Sequence, residues 1–184
     1  QEDTAFKSYF IANSSTGLEP VDTLGDDFIA QPSFTFGSKG STSGRLMPEF
    51  YLRDTFNKSP EDLFEKVGFS GDHSRTIALV QSGAYATGAV NFKVWERELS
   101  EGKIDTSKVS VIWETPTYPD YHWTVRGDLD ERFGEGFSQR VTEALLSIDD
   151  PALLQAFPRE KFIPASNADY APIEETASAI GLLD

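Results

Sequence analysis

A run of small hydroxyl residues near position 40 is the part of this chain with the clearest potential for chemistry. Ser41, Thr42 and Ser43 lie between Gly40 and Gly44, where a strand-like pattern gives way to a helix-like pattern. The first N–H groups of a helix lack intrahelical acceptors, and the helix dipole adds positive potential there. Such a helix start suits a phosphate-like anion. Taken alone, however, these residues favour an ordinary helix cap over an anion site.

The elements that would position this turn follow from an alternation of strand-like and helix-like segments. Residues 33–37 alternate polar and apolar side chains and predict a strand, whereas residues 45–52 have the apolar spacing of a helix. Continued alternation predicts an α/β architecture with a largely parallel sheet. Further strands are predicted at residues 6–12, 67–69, 87–90, 109–113 and 121–125, and helices at residues 20–25, 73–82, 128–145 and 170–180 and around residues 60 and 95.

Composition limits the classes of function. The chain has 184 residues, enough for one ordinary domain or two small lobes, and its net charge of −14 argues against nucleic acid as the main partner. The absence of cysteine excludes disulfides, thiolate catalysis and cysteine-ligated zinc. The two histidines, His73 and His122, lack the paired spacing of a metal site, and we expect neither a metal nor another cofactor.

The chain carries no obvious targeting or membrane-spanning sequence. No run approaches the ~20 apolar residues of a membrane span, and the first residues are not those of a signal peptide. A core-quality strand pattern begins almost at once, at residue 6. We therefore expect either a cytosolic protein or a chain that starts after a removed segment.

Four segments, taken together and in order, carry a resemblance to a known family. They are Gly-Ser-Thr-Ser-Gly at residues 40–44, Phe-Ser-Gly-Asp-His at residues 69–73, Gly-Ala-Val-Asn at residues 88–91, and Tyr-Pro-Asp-Tyr at residues 118–121. In this order they resemble the phosphate-, phosphite- and phosphonate-binding components of bacterial ABC importers. The resemblance extends over nearly the whole chain.

The resemblance implies a fold of two lobes with the ligand in the cleft between them. This is the type II periplasmic-binding-protein-like α/β fold, with mostly parallel sheets. Residues 13–113 would form a complete ligand-binding lobe, while residues 1–12 and 114–184 would supply hinge strands and the C-terminal part of the other lobe. In the family a further segment precedes the first strand seen here, so this resemblance predicts an N-terminally truncated fragment with one lobe incomplete.

The resemblance also implies how the ligand is held. Ser41, Thr42 and Ser43 match the family's oxyanion-binding turn, whose hydroxyl and N–H groups would hold oxygens bound to phosphorus. His73 matches a pocket histidine that would donate from a ring nitrogen, with charge-assisted strength if protonated. Without the resemblance, a histidine at a helix start would be expected to face water.

Three further residues are candidates for contact with the ligand. Asp120 matches a family acid at the cleft; an ionised carboxylate only accepts hydrogen bonds, so it would favour a ligand with its own O–H and repel sulfate. A simple Pro-Asp turn is an equal alternative. Tyr121 would add a hydroxyl donor or line the pocket, and Asn91 would either approach the ligand or serve a structural role at a strand end.

The function implied is capture of phosphate, phosphite or a small alkylphosphonate outside the cytoplasm, for delivery to an ABC-transporter permease. The stretch at residues 91–93 offers no carboxylate for the amine of an aminoalkylphosphonate. Two other classes remain open. A ligand-sensing regulatory domain would share the fold, and an enzyme acting on phosphate esters would need a nucleophile with a base, although the turn lacks the central serine of Gly-x-Ser-x-Gly.

Overall fold

The structure, a computed structural model, describes residues 5–154 and 160–181. Its centre is a five-stranded sheet in the order β3-β2-β4-β1-β5. Strand β1 pairs antiparallel with both of its neighbours, while β2 pairs parallel with β3 and β4. Four strands therefore share one direction, as the sequence predicts. The strands are β1 Ser8–Asn13, β2 Ser33–Phe36, β3 Lys66–Phe69, β4 Thr87–Asn91 and β5 Val109–Glu114.

Helices fill most of the connections between the strands and most of the chain after β5. A π-helical turn at Thr42–Leu46 leads directly into α2. The helices are α1 Asp26–Ile29, α2 Met47–Phe56, α3 Pro60–Leu63, α4 His73–Gln81, α5 Phe92–Ser100, α6 Leu129–Phe133, α7 Phe137–Leu146, α8 Pro151–Leu154 and α9 Ala171–Ala179, with 3-10 turns at Ser14–Thr16 and Asn167–Tyr170.

Both faces of the inner strands are buried, since every residue of β2 and of β4 is buried. In β1 the alternation of side chains places Phe10 in one core and Ile11 in the other. The first core is dominated by phenylalanine rings and includes Phe28 of α1 and Leu52 of α2. The second includes Val80 of α4, and the helices therefore cover the sheet on both sides.

The topology brings the ends of three strands to one edge. Because β2, β3 and β4 run parallel, their carboxyl ends lie together, and β2 has its two sequence successors on opposite sides. A crevice at such a switch point is the usual ligand site of open α/β sheets. The turn at residues 37–46, the start of α4 and the end of β4 all follow these strand ends.

Three predicted elements are wrong. Residues 20–25 are irregular, and the short helix α1 follows them instead. Residues 121–125 form no strand within the described chain; the side chains of Tyr121 and Trp123, which suggested one, are 68% and 59% exposed. The single helix predicted at residues 128–145 is divided into α6 and α7 because Gly134 and Gly136 adopt positive φ between them.

The segments that enter and leave the sheet lie side by side. The Phe6 N–H donates to the Tyr118 carbonyl at 3.0 Å, and the Tyr118 N–H donates back to the Phe6 carbonyl at 2.8 Å. Strand β1 is an inner strand of the same sheet, between β4 and β5. The division at residues 13–113 stays a prediction; part of its second unit, residues 1–4, 155–159 and 182–184, lies outside the described residues.

No described helix is both long and apolar enough to cross a membrane.

Candidate functional site

The turn that follows β2 is held in shape by its first serine. The hydroxyl of Ser41 accepts the Gly44 N–H at 2.9 Å, which is an ordinary N-cap interaction. Its carbonyl accepts from both Arg45 and Leu46, each at 3.0 Å, and this doubled contact forms the π-helical turn. Of the predicted oxyanion residues, Ser41 is therefore the one whose side chain shapes the turn.

Two glycines allow the turn to press against the end of β2. The Gly37 N–H donates to the Gly44 carbonyl at 2.7 Å. A Cβ added at Gly44 would lie 3.2 Å from the Gly37 Cα and 3.0 Å from both Ser41 Oγ and His73 Cε1. Any larger residue at Gly44 would therefore displace the turn or the histidine beside it.

The next two residues present the unpaired groups of the helix start. Among the described residues, the N–H groups of Thr42 and Ser43 have no intramolecular acceptor. Ser43 is 1% exposed, and both Thr42 and Ser43 line a small cleft. Unpaired N–H groups at the positive end of a helix are suited to an oxyanion.

His73 lies behind Ser43 at the start of α4, a helix capped by Asp72, whose carboxylate accepts the Arg75 N–H at 2.8 Å. The ring Nδ1 accepts the backbone N–H of Asn91 at 3.3 Å, and Nε2 lies 3.4 Å from the Ser43 hydroxyl. Burial lowers the pKa of His73, and the nearby Asp72 opposes this only in part. The ring is therefore neutral with its proton on Nε2.

Asn91 supports the histidine through its backbone. Its side-chain oxygen accepts the Lys93 N–H at 2.8 Å and caps α5, and the residue is 7% exposed. This arrangement matches the structural alternative that the sequence left open for Asn91.

A buried chain of hydroxyl groups supports the turn from the other side, and the sequence analysis did not find it. The Ser8 hydroxyl donates to the Ser43 carbonyl at 2.6 Å and lies 2.7 Å from the Tyr118 hydroxyl. Ser8 is fully buried and Tyr118 is 5% exposed. These residues are separated from Ser43 by 35 and 75 positions in sequence, and a serine in a strand carries no local signal of such a role.

The cleft itself has a volume of about 80 Å³. Thr42 and Ser43 lie on one side, and residues of the segment after Tyr118 lie on the other, including Asp120 and Tyr121. Tyr170, just before α9, donates from its hydroxyl to the Asp120 carbonyl at 3.1 Å and so ties this segment down. The lining consists of Phe6, Thr42, Ser43, Tyr118, Pro119, Asp120, Tyr121, His122, Tyr170 and Ile173.

The lining of this cleft includes no lysine or arginine among the described residues. Arg45, on the same turn as Ser43, pairs instead with the buried Glu49 at 3.2 Å and donates to the Lys39 carbonyl. The donors that the described lining offers to an anion include N–H and O–H groups. No group of described residues could hold a metal ion.

A larger cavity of about 670 Å³ adjoins the cleft and shares Asp120, Tyr121 and Tyr170 with it. Its described lining does not include Thr42 or Ser43, whose unpaired N–H groups suit an oxyanion, so the smaller cleft is the better candidate site. The apolar residues around the larger cavity include Trp123, Leu145, Leu146, Leu154, Phe162 and Ile163.

The structure thus brings together most of the predicted site. Thr42, Ser43, Asp120 and Tyr121 line one cleft, although they come from segments far apart in sequence. Ser41, His73 and Asn91 surround it as supports of the turn.

Known proteins with similar sequences and structures show which family this chain resembles. The family model described as the periplasmic substrate-binding protein of phosphonate ABC transporters matches residues 1–170. A probable ABC transporter phosphite binding protein, PhnD1 of Prochlorococcus marinus (strain MIT 9301), is 41% identical over 179 residues. The match covers 94% of this chain and 60% of that relative, so the chain spans less than two thirds of the relative's length.

Solved structures confirm the predicted fold class. The structure of Prochlorococcus marinus PhnD1 in complex with methylphosphonate matches with a TM-score of 0.84 and 39% identity, covering 98% of this chain and 69% of that one. A binding protein component of an ABC phosphonate transporter from Pseudomonas aeruginosa matches with a TM-score of 0.70 at 20% identity, covering 94% and 56%. At that identity the second likeness concerns the fold alone.

Proposed function

Because the chain belongs to the family of periplasmic phosphonate-binding proteins of ABC transporters, we propose that it captures a phosphorus oxyanion for import. In this function it performs no chemistry on its ligand. It acts outside the cytoplasm and presents the bound ligand to a membrane permease. Family membership supports this location and this partner.

The observation that carries the proposal is the pair of unpaired N–H groups beside two hydroxyls at the cleft. Thr42 and Ser43 supply these groups from the start of the helix that continues as α2. Ser43 is almost fully buried, and hydrogen bonds to an anion are stronger in such surroundings than at an exposed surface. A small cleft with donors on one wall suits a tetrahedral anion of a few heavy atoms.

The ligand we propose is phosphite, phosphate or a small alkylphosphonate. The similar Prochlorococcus marinus protein is described as a phosphite binding protein, and its structure contains methylphosphonate. Asn91 is already engaged as the cap of α5, and residues 91–93 offer no carboxylate for the amine of an aminoalkylphosphonate. This favours a ligand without an amine.

The hydrogen bond between His73 and Ser43 runs in the opposite direction from the one that an esterase needs. A nucleophilic serine needs a histidine nitrogen that accepts its proton. Here Nδ1 already accepts from the Asn91 N–H, so the neutral ring donates from Nε2 toward Ser43. This arrangement favours binding over catalysis. Release of inorganic phosphate from a model ester, abolished by Thr42→Ala, would support the enzyme instead.

Titration calorimetry on the complete polypeptide that carries this chain tests the proposal. We expect equimolar binding of at least one ligand among phosphate, phosphite and methylphosphonate, and none of sulfate. Ser43→Ala should weaken binding by about 1–3 kcal/mol because a buried polar contact is lost. Ser107→Ala, whose hydroxyl contacts the exposed Asp105 away from the cleft, is the matched control. Absence of heat with every phosphorus ligand would refute the proposal.

A further inference from the structure

The π-helical turn leaves the carbonyl of Ser43 without a donor from its own helix. In a π-helix a carbonyl accepts the N–H five residues ahead, and for Ser43 that residue is Pro48, which has no N–H. The N–H groups of Leu46 and Met47, three and four residues ahead, donate to carbonyls that precede Ser43. Because Ser43 is almost fully buried, its carbonyl needs a donor from elsewhere in the molecule.

The donor is a hydroxyl group of β1. Ser8 is fully buried, and its hydroxyl donates to the Ser43 carbonyl at 2.6 Å. The main chain of Ser8 is itself held from both sides. Its N–H donates to the Thr115 hydroxyl and its carbonyl accepts the Thr115 N–H, each at 3.0 Å, and it is paired with Asn91 of β4 on the other side. The turn is therefore attached to a strand whose position is fixed by both of its neighbours.

The Tyr118 hydroxyl determines the direction of this attachment. Ser8 has one hydroxyl proton, and the Ser43 carbonyl can only accept it. The contact of 2.7 Å between the Ser8 and Tyr118 hydroxyls must therefore use the Tyr118 proton. Burial raises the pKa of Tyr118, so this proton stays in place at neutral pH. Hydrogen bonds in a chain polarise one another, and Tyr118 thereby strengthens the bond from Ser8 to the turn.

Loss of the Ser8 hydroxyl would reach a ligand through the turn. The described lining of the cleft contains Thr42 and Ser43 but not Ser8. Without this hydroxyl the Ser43 carbonyl would be left buried and unpaired, which is costly enough to make the turn move toward another donor. The carbonyl and the unpaired N–H of Ser43 belong to one residue, so a turn that moves to satisfy the first also displaces the second.

We propose that Ser8 and Tyr118 are positioning residues of the anion site, whose hydroxyls hold the Ser43 carbonyl, and with it the N–H groups of Thr42 and Ser43, where a phosphorus oxyanion needs them. This inference rests on the proposed function. Its distinctive consequence is that ligand affinity depends on Ser8, a strand residue that is not part of the described lining.

Calorimetry on the complete polypeptide, with phosphate, phosphite and methylphosphonate as ligands, measures this dependence. Ser8→Ala should weaken the binding of each ligand that the unmodified protein binds by about 10- to 100-fold, because a buried carbonyl loses its partner. Tyr118→Phe should weaken it less, by about 3- to 10-fold, since the Ser8 hydroxyl is still present. If Ser8→Ala does not fold, Tyr118→Phe carries the test, and affinity equal to that of the unmodified protein would then overturn the inference.

Two variants of matched chemistry serve as controls. Ser33→Ala removes another buried serine hydroxyl, which accepts the Ala86 N–H at 2.9 Å at the start of β2, the end away from the turn. Tyr9→Phe removes a tyrosine hydroxyl of β1 that donates to Glu96 at 3.0 Å. Both should leave affinity within about twofold of the unmodified protein, since these hydrogen bonds lie away from the turn. A loss in Ser33→Ala as large as that in Ser8→Ala would indicate general destabilisation and would overturn the inference.

An NMR signal separates a positioned turn from a merely stabilised fold. The Gly44 nitrogen shares a peptide bond with the Ser43 carbonyl, so its amide signal is sensitive to the hydrogen bond at that carbonyl. Ser8→Ala should shift the Gly44 signal of the ligand-free protein, whereas Ser33→Ala should not. Unchanged affinity in Ser8→Ala, or a Gly44 signal that does not shift, would overturn this inference and leave the proposed function intact. If the unmodified protein binds none of the three ligands, the proposed function fails and this inference fails with it.

Discussion

The two parts of this molecule bury their apolar residues very differently. In residues 6–118, here called the sheet unit, phenylalanine rings such as Phe10, Phe34 and Phe36 are at most 1% exposed. In residues 119–181, here called the C-terminal segment, the buried apolar residues of the described chain are Leu154 and Ala177. Its exposed apolar residues are Tyr121, Trp123, Val125, Phe133, Leu146, Leu153 and Ile163.

This difference indicates that apolar burial stabilises the sheet unit more than the C-terminal segment. The sheet unit has two cores, one on each face of the sheet. The described residues of the C-terminal segment form helices with apolar faces and contribute no strand to the sheet. Ile173 joins this segment to the sheet unit by packing on the small cluster of Phe6, Met47 and Tyr118. Helices gain most of their stability from packing rather than propensity. The turn that carries the donors of Thr42 and Ser43 therefore belongs to the better packed part of the molecule.

The largest effect is expected when one aromatic ring is removed from each part, which tests whether the two parts differ in stability. Phe34 is fully buried and lies 4.8 Å from Phe36 and 5.3 Å from Phe64 between ring centroids. Phe34→Ala should lower the free energy of unfolding by about 3–5 kcal/mol because it leaves a cavity. Phe133→Ala, at a residue that is 56% exposed, should cost less than about 1 kcal/mol. Equal losses in urea unfolding would show that the two parts are not different.

A glycine substitution in each part gives the next largest effect. Gly44→Ala would place a methyl group 3.0 Å from the His73 ring and 3.2 Å from Gly37. We expect a loss of about 1–3 kcal/mol in stability, together with weaker ligand binding, because the turn must move. Gly127→Ala in the C-terminal segment has no atom within 4 Å of its new methyl group and should change stability by less than about 0.5 kcal/mol. Thermal unfolding and calorimetry measure both; unchanged binding in Gly44→Ala would separate the turn from the site.

The smallest effect we expect is the pH dependence of stability that comes from His73, in the sheet unit. Burial holds the pKa of His73 below its usual value of 6.5, so the unfolded chain takes up a proton before the folded protein does. Stability should therefore decrease as the pH falls below about 6.5, until the folded protein is protonated too. His73→Asn should flatten this decrease. Hydrogen exchange of the β4 amides measures it directly, and a steeper decrease in the variant would contradict the assignment.

Sequence reasoning predicted most of the sheet unit, apart from the helix at residues 20–25, because the signals of its elements are local. The strands near residues 10, 35, 89 and 111 and the helix after Asp72 were identified from periodicity and capping, and the structure contains them. The same rules failed where packing does not enforce the pattern. The predicted strand at residues 121–125 is exposed, and the predicted long helix is interrupted at Gly134.

The site was predictable only in part, for a related reason. The hydroxyl turn at residues 41–43 could be predicted as a candidate anion site because the unpaired N–H groups of a helix start attract anions. The contribution of Ser8 and Tyr118 could not, since it depends on hydrogen bonds between residues 110 positions apart. The position of the proton on the His73 ring likewise depends on the backbone N–H of Asn91, which only the fold brings near.

The backbone bridge between Phe6 and Tyr118 has a mechanical consequence. Two hydrogen bonds there fasten the entering and leaving chains to each other, next to the turn that carries Ser43. Both bonds are made by the main chain, so they do not depend on the side chains of Phe6 and Tyr118. Asp120 follows this bridge by two residues, and only a short stretch of backbone separates it from the point where the two chains are joined. The main chain therefore fastens the segment that carries Asp120 to the segment that enters the sheet.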